Sequence, residues 1–173
     1  GERLAQNLIL NDVLEIPTSV NIERNAAGGD LTFNFNGTTV AGTEDSTTIN
    51  LKNSSGATIV NLDDIETVDL VSTEDPAGTT RNVITVQAEG SSTATEVLNI
   101  SGAGDLTVTA TDALTVNNSS SATVTLTPTA ATTITHTGSG SLTVAAGAAT
   151  QTVTASGTGA LTYTAGATKS TVT

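Results

Sequence analysis

The sequence predicts an all-β protein whose C-terminal part is a parallel β-solenoid. Three observations lead to this interpretation: a short motif recurs near the end of the chain, its apolar positions return at a nearly constant spacing, and the segments between turns alternate apolar residues with threonine. Such alternation points one set of side chains inward and the other outward from a strand. Strands that recur at a fixed spacing are typical of a coiled sheet.

The recurring motif begins at Ser101, Thr137 and Ser156, and each copy has a Gly-x-Gly turn followed by a strand. Two strands in each coil of about 18 to 19 residues, stacked about 4.8 Å apart, would bury a thin aliphatic core. One inward register contains Leu106, Val124, Leu142 and Leu161. A second contains Leu114, Ile134, Val153 and Val172. We also expect inward positions for Val108, Val116, Leu126, Val144 and Tyr163. Outward positions are expected for Thr107, Thr125, Thr143 and Thr162 on one face, and for Thr115, Thr135, Thr154 and Thr173 on the other.

The composition agrees with an elongated body. Aromatic residues make up 2% of the chain, and Trp, Met and Cys are absent. A compact globule of this length would ordinarily use aromatic side chains for much of its buried area. A narrow aliphatic core therefore fits the composition better.

The N-terminal segment, residues 1–62, shows strand patterns at less regular intervals. Residues 2–13 fit either one or two helical turns or a strand at 7–10, and further strands are predicted at 20–23, 31–36, 47–51 and 57–62. Asn36-Gly37 lies between two apolar segments and predicts a two-residue hairpin, hence antiparallel pairing. We therefore expect residues 1–62 to form an N-terminal β module or a lead-in to the solenoid, partly antiparallel, and residues 63–173 to form the solenoid.

From residue 65 onward the strand pattern tightens, with predicted strands at 65–71, 82–86 and 96–100. The segments Leu-Asp-Asp-Ile-Glu-Thr-Val-Asp-Leu at 62–70, Val-Leu-Asn-Ile-Ser-Gly at 97–102 and Gly-Asp-Leu-Thr-Val at 104–108 resemble the strand repeats of bacterial surface-layer (S-layer) proteins and related large secreted adhesins. The resemblance covers about residues 62–173. It implies export, often through type I secretion, a β-solenoid fold, and Ca²⁺ in folding and lattice assembly.

The charge distribution is uneven. The chain carries a net charge of −12, and every Asp and Glu lies at or before Asp112. An acidic chain of this kind is not expected to bind nucleic acid or an anionic membrane surface. No apolar run reaches the roughly 18 residues of a membrane-spanning helix. The sequence ends within a repeat, so we expect it to be part of a longer protein or a unit that neighbours cover.

The acidic clusters are the candidate cation ligands, because adjacent carboxylates repel each other and a hard cation such as Ca²⁺ relieves the repulsion. The candidates are Glu44, Asp45, Asp63, Asp64, Glu66, Glu74, Asp75 and Asp105. The alternative is that these residues are solvated turn residues. Around Asp105 the tail departs from the RTX calcium-roll motif, because its acidic position becomes Ser141 and Ala160 in the later copies.

No catalytic residue is predicted. His136 is the only histidine, it takes an inward position near a strand end, and the sequence surrounds it with no arrangement of a nucleophile and a base. One histidine without cysteine does not form a zinc site. The sequence thus predicts neither an enzyme nor a cofactor other than Ca²⁺.

The outward threonines suggest a second kind of surface. Thr-x-Thr pairs at 133–135, 152–154 and 171–173 fall in consecutive coils and predict a flat array of six threonines. That geometry resembles ice-binding solenoids, although any strand that alternates aliphatic residues with threonine produces the same pairs.

These patterns favour a structural function. We expect a secreted protein of the bacterial cell surface that self-assembles as an S-layer or surface-filament subunit, with assembly linked to Ca²⁺. The expected partners are further copies of the chain and cell-surface polysaccharide, without membrane insertion. An adhesin stalk and an ice-binding solenoid are the alternatives.

Overall fold

The structure, a computed structural model, describes residues 7–74, 80–87, 97–130, 132–145, 149–166 and 170–173. Within them the chain forms strands separated by turns. The first eight are β1 (Leu8–Val13), β2 (Ser19–Glu23), β3 (Gly29–Phe35), β4 (Ser46–Lys52), β5 (Thr58–Leu62), β6 (Thr67–Thr73), β7 (Asn82–Gln87) and β8 (Val97–Gly102). The remaining eight are β9 (Leu106–Ala110), β10 (Thr115–Asn118), β11 (Val124–Pro128), β12 (Thr132–His136), β13 (Leu142–Ala145), β14 (Gln151–Ala155), β15 (Leu161–Thr164) and β16 (Thr171–Val172).

The strands form two parallel sheets of eight strands each. The odd-numbered strands form the first sheet and the even-numbered strands the second, each in sequence order. Each coil thus contributes one strand to each sheet, which confirms the predicted parallel β-solenoid. None of the described segments is a helix with the length and apolarity needed to cross a membrane.

The antiparallel pairing expected within residues 1–62 is wrong. β1 pairs with β3 in parallel, and β2 pairs with β4 in parallel. The predicted hairpin at Asn36-Gly37 does not form, because β3 and β4 lie in different sheets. The turn, in which the N–H of Thr39 donates to the carbonyl of Asn36 at 2.7 Å, leads instead to Val40, which is buried in the core. The apolar residue after the turn therefore completes the corner of a coil. The ambiguous segment near the N-terminus is a strand, β1.

The first predicted register of the tail is confirmed. Leu106 pairs with Val124, Val124 with Leu142, and Leu142 with Leu161. The outward threonines of the same strands pair in the same order, from Thr107 to Thr162.

The second predicted register is wrong at its first member. Val116, and not Leu114, pairs with Ile134, and Leu114 is 51% exposed. The small side chain of Ala113 takes the buried corner position, so β10 begins only at Thr115. As a consequence Thr115 pairs with Thr133 and not with the predicted Thr135.

The core is a continuous column of aliphatic residues between the two sheets. Its fully buried members include Ile49, Leu70, Leu98, Leu126 and Leu142. Toward the last described coil the burial decreases. Leu161 and Tyr163 are half-buried against the core, and Val172 is 46% exposed because β16 pairs with β14 alone among the described strands.

Candidate functional site

Buried polar side chains line one corner of the N-terminal coils. Asn82 is fully buried in the fourth strand of the first sheet, and its Oδ1 accepts the backbone N–H of Ser54 at 2.6 Å. Its Nδ2 donates to Ser72 Oγ at 2.8 Å and to the carbonyl of Thr73 at 3.0 Å. One coil earlier, Asn25 Nδ2 donates to Thr58 Oγ1 at 2.8 Å. These amides satisfy the turn groups of neighbouring coils and hold their register.

A second buried polar pair joins β10 and β12. His136 is fully buried at the end of its strand, as its alternation position predicts. Its Nδ1 lies 3.1 Å from Nδ2 of Asn118, while Oδ1 of Asn118 accepts the N–H of Ser120 at 3.1 Å. The imidazole Nε2 has no hydrogen-bond partner among the described residues. The histidine thus lies inside the rod, away from solvent.

The structure brings one pair of the candidate cation ligands together. The N–H of Asp45 donates to Oε2 of Glu66 at 2.9 Å, and the N–H of Thr67 donates to the carbonyl of Asp45 at 3.0 Å. These bonds join the turns before β4 and β6. Oδ2 of Asp45 is buried and has no hydrogen-bond partner in the part of the chain that the structure describes. The carboxylate of one candidate therefore meets the backbone of another candidate, in the adjacent coil, at this turn.

The other candidates are distributed over several turns. Glu44 is exposed beside Asp45, and Asp63 and Asp64 occupy the turn after β5, where Asp64 has a positive φ of 54°. Glu74 directly follows β6, and Asp75 lies outside the described residues. No group of three His, Cys, Asp or Glu side chains within the described ranges could hold a metal ion.

Asp105 has structural partners. Its Oδ1 accepts the N–H of Thr123 at 3.0 Å, and its Oδ2 lies 3.8 Å from the guanidinium of Arg81. Its backbone carbonyl accepts the N–H of Asn82 at 2.8 Å. The residue therefore connects three successive coils at the start of their first-sheet strands.

A polar depression of about 300 Å³ lies on the second sheet. Its lining includes Asn21, Asn50, Glu23 and Lys52. Asn50 Nδ2 donates to Asn21 Oδ1 at 2.9 Å, and Lys52 Nζ lies 3.6 Å from Glu23 Oε1. The carboxylate is thus paired with a cation, and the depression presents amides and a compensated ion pair.

The outward face of the second sheet changes along the rod. In its middle, Asn99 Nδ2 donates to Asp69 Oδ1 at 2.8 Å, and Asn117 Nδ2 donates to Asn99 Oδ1 at 2.9 Å. Farther on, threonines replace the amides in two paired columns. The first column contains Thr133, Thr152 and Thr171, and the second contains Thr135, Thr154 and Thr173. The face is uncharged from β10 to β16 within the described residues.

Sequence reasoning missed the buried polar corner. The available signal was weak: an Asn or Ser closely follows an early strand of the second sheet, as at Asn25 after β2 and Ser54 after β4. Turn residues of these types are usually solvated. Only the stacking of coils shows that they face inward.

Fold and surface together define the chain as a parallel β-solenoid with amide and hydroxyl ladders. No known protein family matches the sequence, and comparisons with curated proteins and with solved structures found no match.

Proposed function

We propose that this chain is a structural rod that assembles through its coil ends into a bacterial surface layer or surface filament. The observation that carries the proposal is the direction of the pairing. Every strand pair in the described ranges is parallel and links one coil to the next along one axis, so a further coil with the same strand direction extends both sheets. The rod would therefore act through its shape. It supplies length, rigidity and a template for the addition of further strands.

The apolar residues of the first described strand support this direction of assembly. Leu8, Ile9 and Leu10 of β1 are between 37% and 56% exposed, although Leu8 and Leu10 pair with the buried Leu31 and Phe33. They stand where a preceding coil would cover them. We assign that coil to the far end of a second copy, near β15 and β16.

Charge favours this head-to-tail arrangement over a head-to-head one. All Asp and Glu residues lie at or before Asp112, so the last coils are free of acidic side chains. Two N-terminal ends would oppose acidic coils, whereas a head-to-tail contact places an acidic coil against one without acidic side chains. Contacts between unlike surfaces that do not close into a ring produce filaments.

Divalent cations enter the proposal through the acidic half. Ca²⁺ takes six to eight oxygen ligands, and extracellular modules bind it at roughly 10⁻⁴ to 10⁻³ M. We propose that Asp45 and Glu66 supply carboxylates to a calcium ion and that a neighbouring copy and water supply the rest. Secretion to the bacterial cell surface belongs to the same proposal.

The polar depression is the place we assign to contact with cell-surface polysaccharide. Amides and paired charges hydrogen-bond sugar hydroxyls without selecting a charged ligand. Asn21 and Asn50 are the residues whose amides line it.

Negative-stain imaging of the purified chain with millimolar Ca²⁺ and with a chelator tests the assembly. We expect filaments or sheets that dissolve under chelation. Leu10→Asp should block them by adding a charge at the proposed contact, whereas Leu114→Asp, at an exposed leucine on the side of the tail, should not.

Asp45→Asn should raise the Ca²⁺ concentration that assembly requires, with Asp69→Asn as the charge-matched control. Monodisperse particles under both conditions would contradict assembly and leave an adhesin stalk as the better description.

One observation favours a second candidate, ice binding. The threonines of β12, β14 and β16 pair in two columns, with a repeat of about 4.8 Å between coils. In the first sheet the guanidinium of Arg81 lies 3.3 Å from Thr125 Oγ1, so that face is partly covered. Loss of thermal hysteresis in Thr152→Lys would support this function, provided that the first-sheet control Thr143→Lys keeps it. Absence of thermal hysteresis in the unaltered chain would exclude it.

A further inference from the structure

In the turn after β3, both the oxygen and the nitrogen of an asparagine side-chain amide form hydrogen bonds. Oδ1 of Asn36 accepts two hydrogen bonds from Thr38, one from the backbone N–H at 3.0 Å and one from the hydroxyl at 2.7 Å. Nδ2 of Asn36 donates to Oδ1 of Asp12 at 2.7 Å. The residue that follows is Gly37, and a Cβ built there would meet nothing within 4 Å.

This arrangement suits an intramolecular reaction. The backbone nitrogen that follows an asparagine can attack the side-chain carbonyl carbon, and glycine hinders that attack least because it lacks a side chain. Negative charge then develops on Oδ1. Two donors already directed at that oxygen stabilise the developing charge, in the manner of an oxyanion hole.

We propose that Asn36 is a self-modifying site that converts to aspartate and isoaspartate. The backbone nitrogen of Gly37 loses its proton to hydroxide and forms a bond to Cγ of Asn36, while Oδ1 takes the negative charge. The bond from Cγ to Nδ2 then breaks, and Nδ2 takes up a proton from water and leaves as ammonia. The resulting succinimide is opened by one water molecule at either carbonyl. The net change is one water consumed and one ammonia released.

The modification acts on the contact between the first two coils. Asp12 has a positive φ of 53° and lies where the register of β1 and β3 is interrupted, between Leu10 and Val13. Its bond to Asn36 helps to hold this bulge. After conversion, two carboxylates face each other across the former hydrogen bond, and their repulsion loosens β1, which pairs only with β3 in the described sheet. This inference does not depend on the proposed function.

Peptide mass spectrometry of the full chain during incubation at pH 7 to 9 tests the chemistry. We expect aspartate and isoaspartate to accumulate at position 36, faster at higher pH, and well ahead of Asn53 and Asn118, which precede serine. Thr38→Val removes the hydroxyl donor and should slow the reaction about tenfold or more. Gly37→Ala should slow it by hindering the nucleophile. An unmodified position 36, or an unchanged rate in Thr38→Val, would overturn the proposal.

Hydrogen exchange tests the consequence for the fold. The backbone amides of β1 should exchange faster in aged protein than in fresh protein, while those of β4 and β6 should be unchanged. Asp12→Asn keeps an acceptor for Asn36 but removes one carboxylate, so this variant should still be modified without the faster exchange. If the amides of β1 exchange equally fast in fresh and aged unaltered protein, the proposed loosening of β1 is refuted.

Discussion

Replacing Gly140 with alanine tests the stacking of the turns that join the two sheets. A Cβ on Gly140 would lie 1.9 Å from the carbonyl oxygen of Ala122 and 2.5 Å from its carbonyl carbon, whereas ordinary contacts begin at 3.4 Å. Both atoms belong to the backbone, so no side-chain rotation relieves the overlap. The two turns must separate, and the 3.1 Å bond from the N–H of Gly140 to the carbonyl of Ser120 is lost or weakened.

The expected loss combines three effects. Forcing an extra carbon into a packed site costs about 1–3 kcal/mol, and a weakened hydrogen bond adds about 0.5–1.5 kcal/mol. Alanine restricts the unfolded chain relative to glycine, which offsets about 0.4–1 kcal/mol. We therefore expect Gly140→Ala to lower the free energy of unfolding by about 0.5–4 kcal/mol.

Urea unfolding followed by circular dichroism measures this loss, with Gly37→Ala as the matched control. Gly37 has open space around it, so its variant should be as stable as the unaltered chain or more stable by up to about 1 kcal/mol. Because each coil contacts only its neighbours, faster hydrogen exchange should be confined to coils near β11 and β13. Equal stability of the two variants would refute the argument from turn stacking.

Two further comparisons test the core and the buried polar corner by the same urea measurement. Leu126→Ala, at a fully buried position, should lower the free energy of unfolding by about 2–5 kcal/mol. Leu114→Ala, at a half-exposed side chain, should lower it by less than about 1 kcal/mol. Equal losses would show that the assigned register is wrong. Asn82→Ala leaves the buried N–H of Ser54 without its acceptor and should cost about 1–3 kcal/mol, whereas Asn99→Ala on the solvated ladder should cost less than about 1 kcal/mol. A larger loss for Asn99→Ala would show that the outer ladder, and not the corner, holds the coils together.

The periodicity of the sequence was sufficient to predict the fold where coils are uniform. Leu106, Val124 and Leu142 are evenly spaced, since 124 − 106 and 142 − 124 give the same difference, and the structure pairs them directly. A fixed spacing leaves one consistent register, because a slip by a single position would move every apolar side chain to the outside.

Periodicity failed where a turn residue resembles a strand residue. Leu114 continues the alternation of β10, yet Ala113 is the residue that fits the tight buried corner. The Asn36-Gly37 turn has the composition of a hairpin, but the burial of Val40 directs the chain into the other sheet. In both cases the decision depends on which side chain fills a corner between two sheets, and this is a tertiary property.

For the candidate site, the sequence predicts which residues are acidic or polar but not which of them are in contact. The sequence indicates that Asp45 and Glu66 are acidic turn residues, but their contact requires β4 and β6 to be neighbours. Likewise, Asn82 has no local pattern that distinguishes a buried amide from a solvated one. Its role follows from two neighbouring turns, between β4 and β5 and between β6 and β7, that meet at one corner.

Unequal coil lengths give the buried amides of the N-terminal half a role in setting the register of the coils. There the sequence spacing between paired positions of the second sheet is unequal: 48 − 19 = 29 from Ser19 to Thr48, but 69 − 48 = 21 from Thr48 to Asp69. Loops of unequal length do not fix a register by themselves, so specific bonds such as Asn25 to Thr58 must select it. In the tail the spacing is nearly constant, since 134 − 116 = 18 and 153 − 134 = 19, and closely stacked glycine turns repeat the same geometry. The tail can therefore place threonine at its outward positions, whereas the N-terminal half also places amides such as Asn21 and Asn50 there.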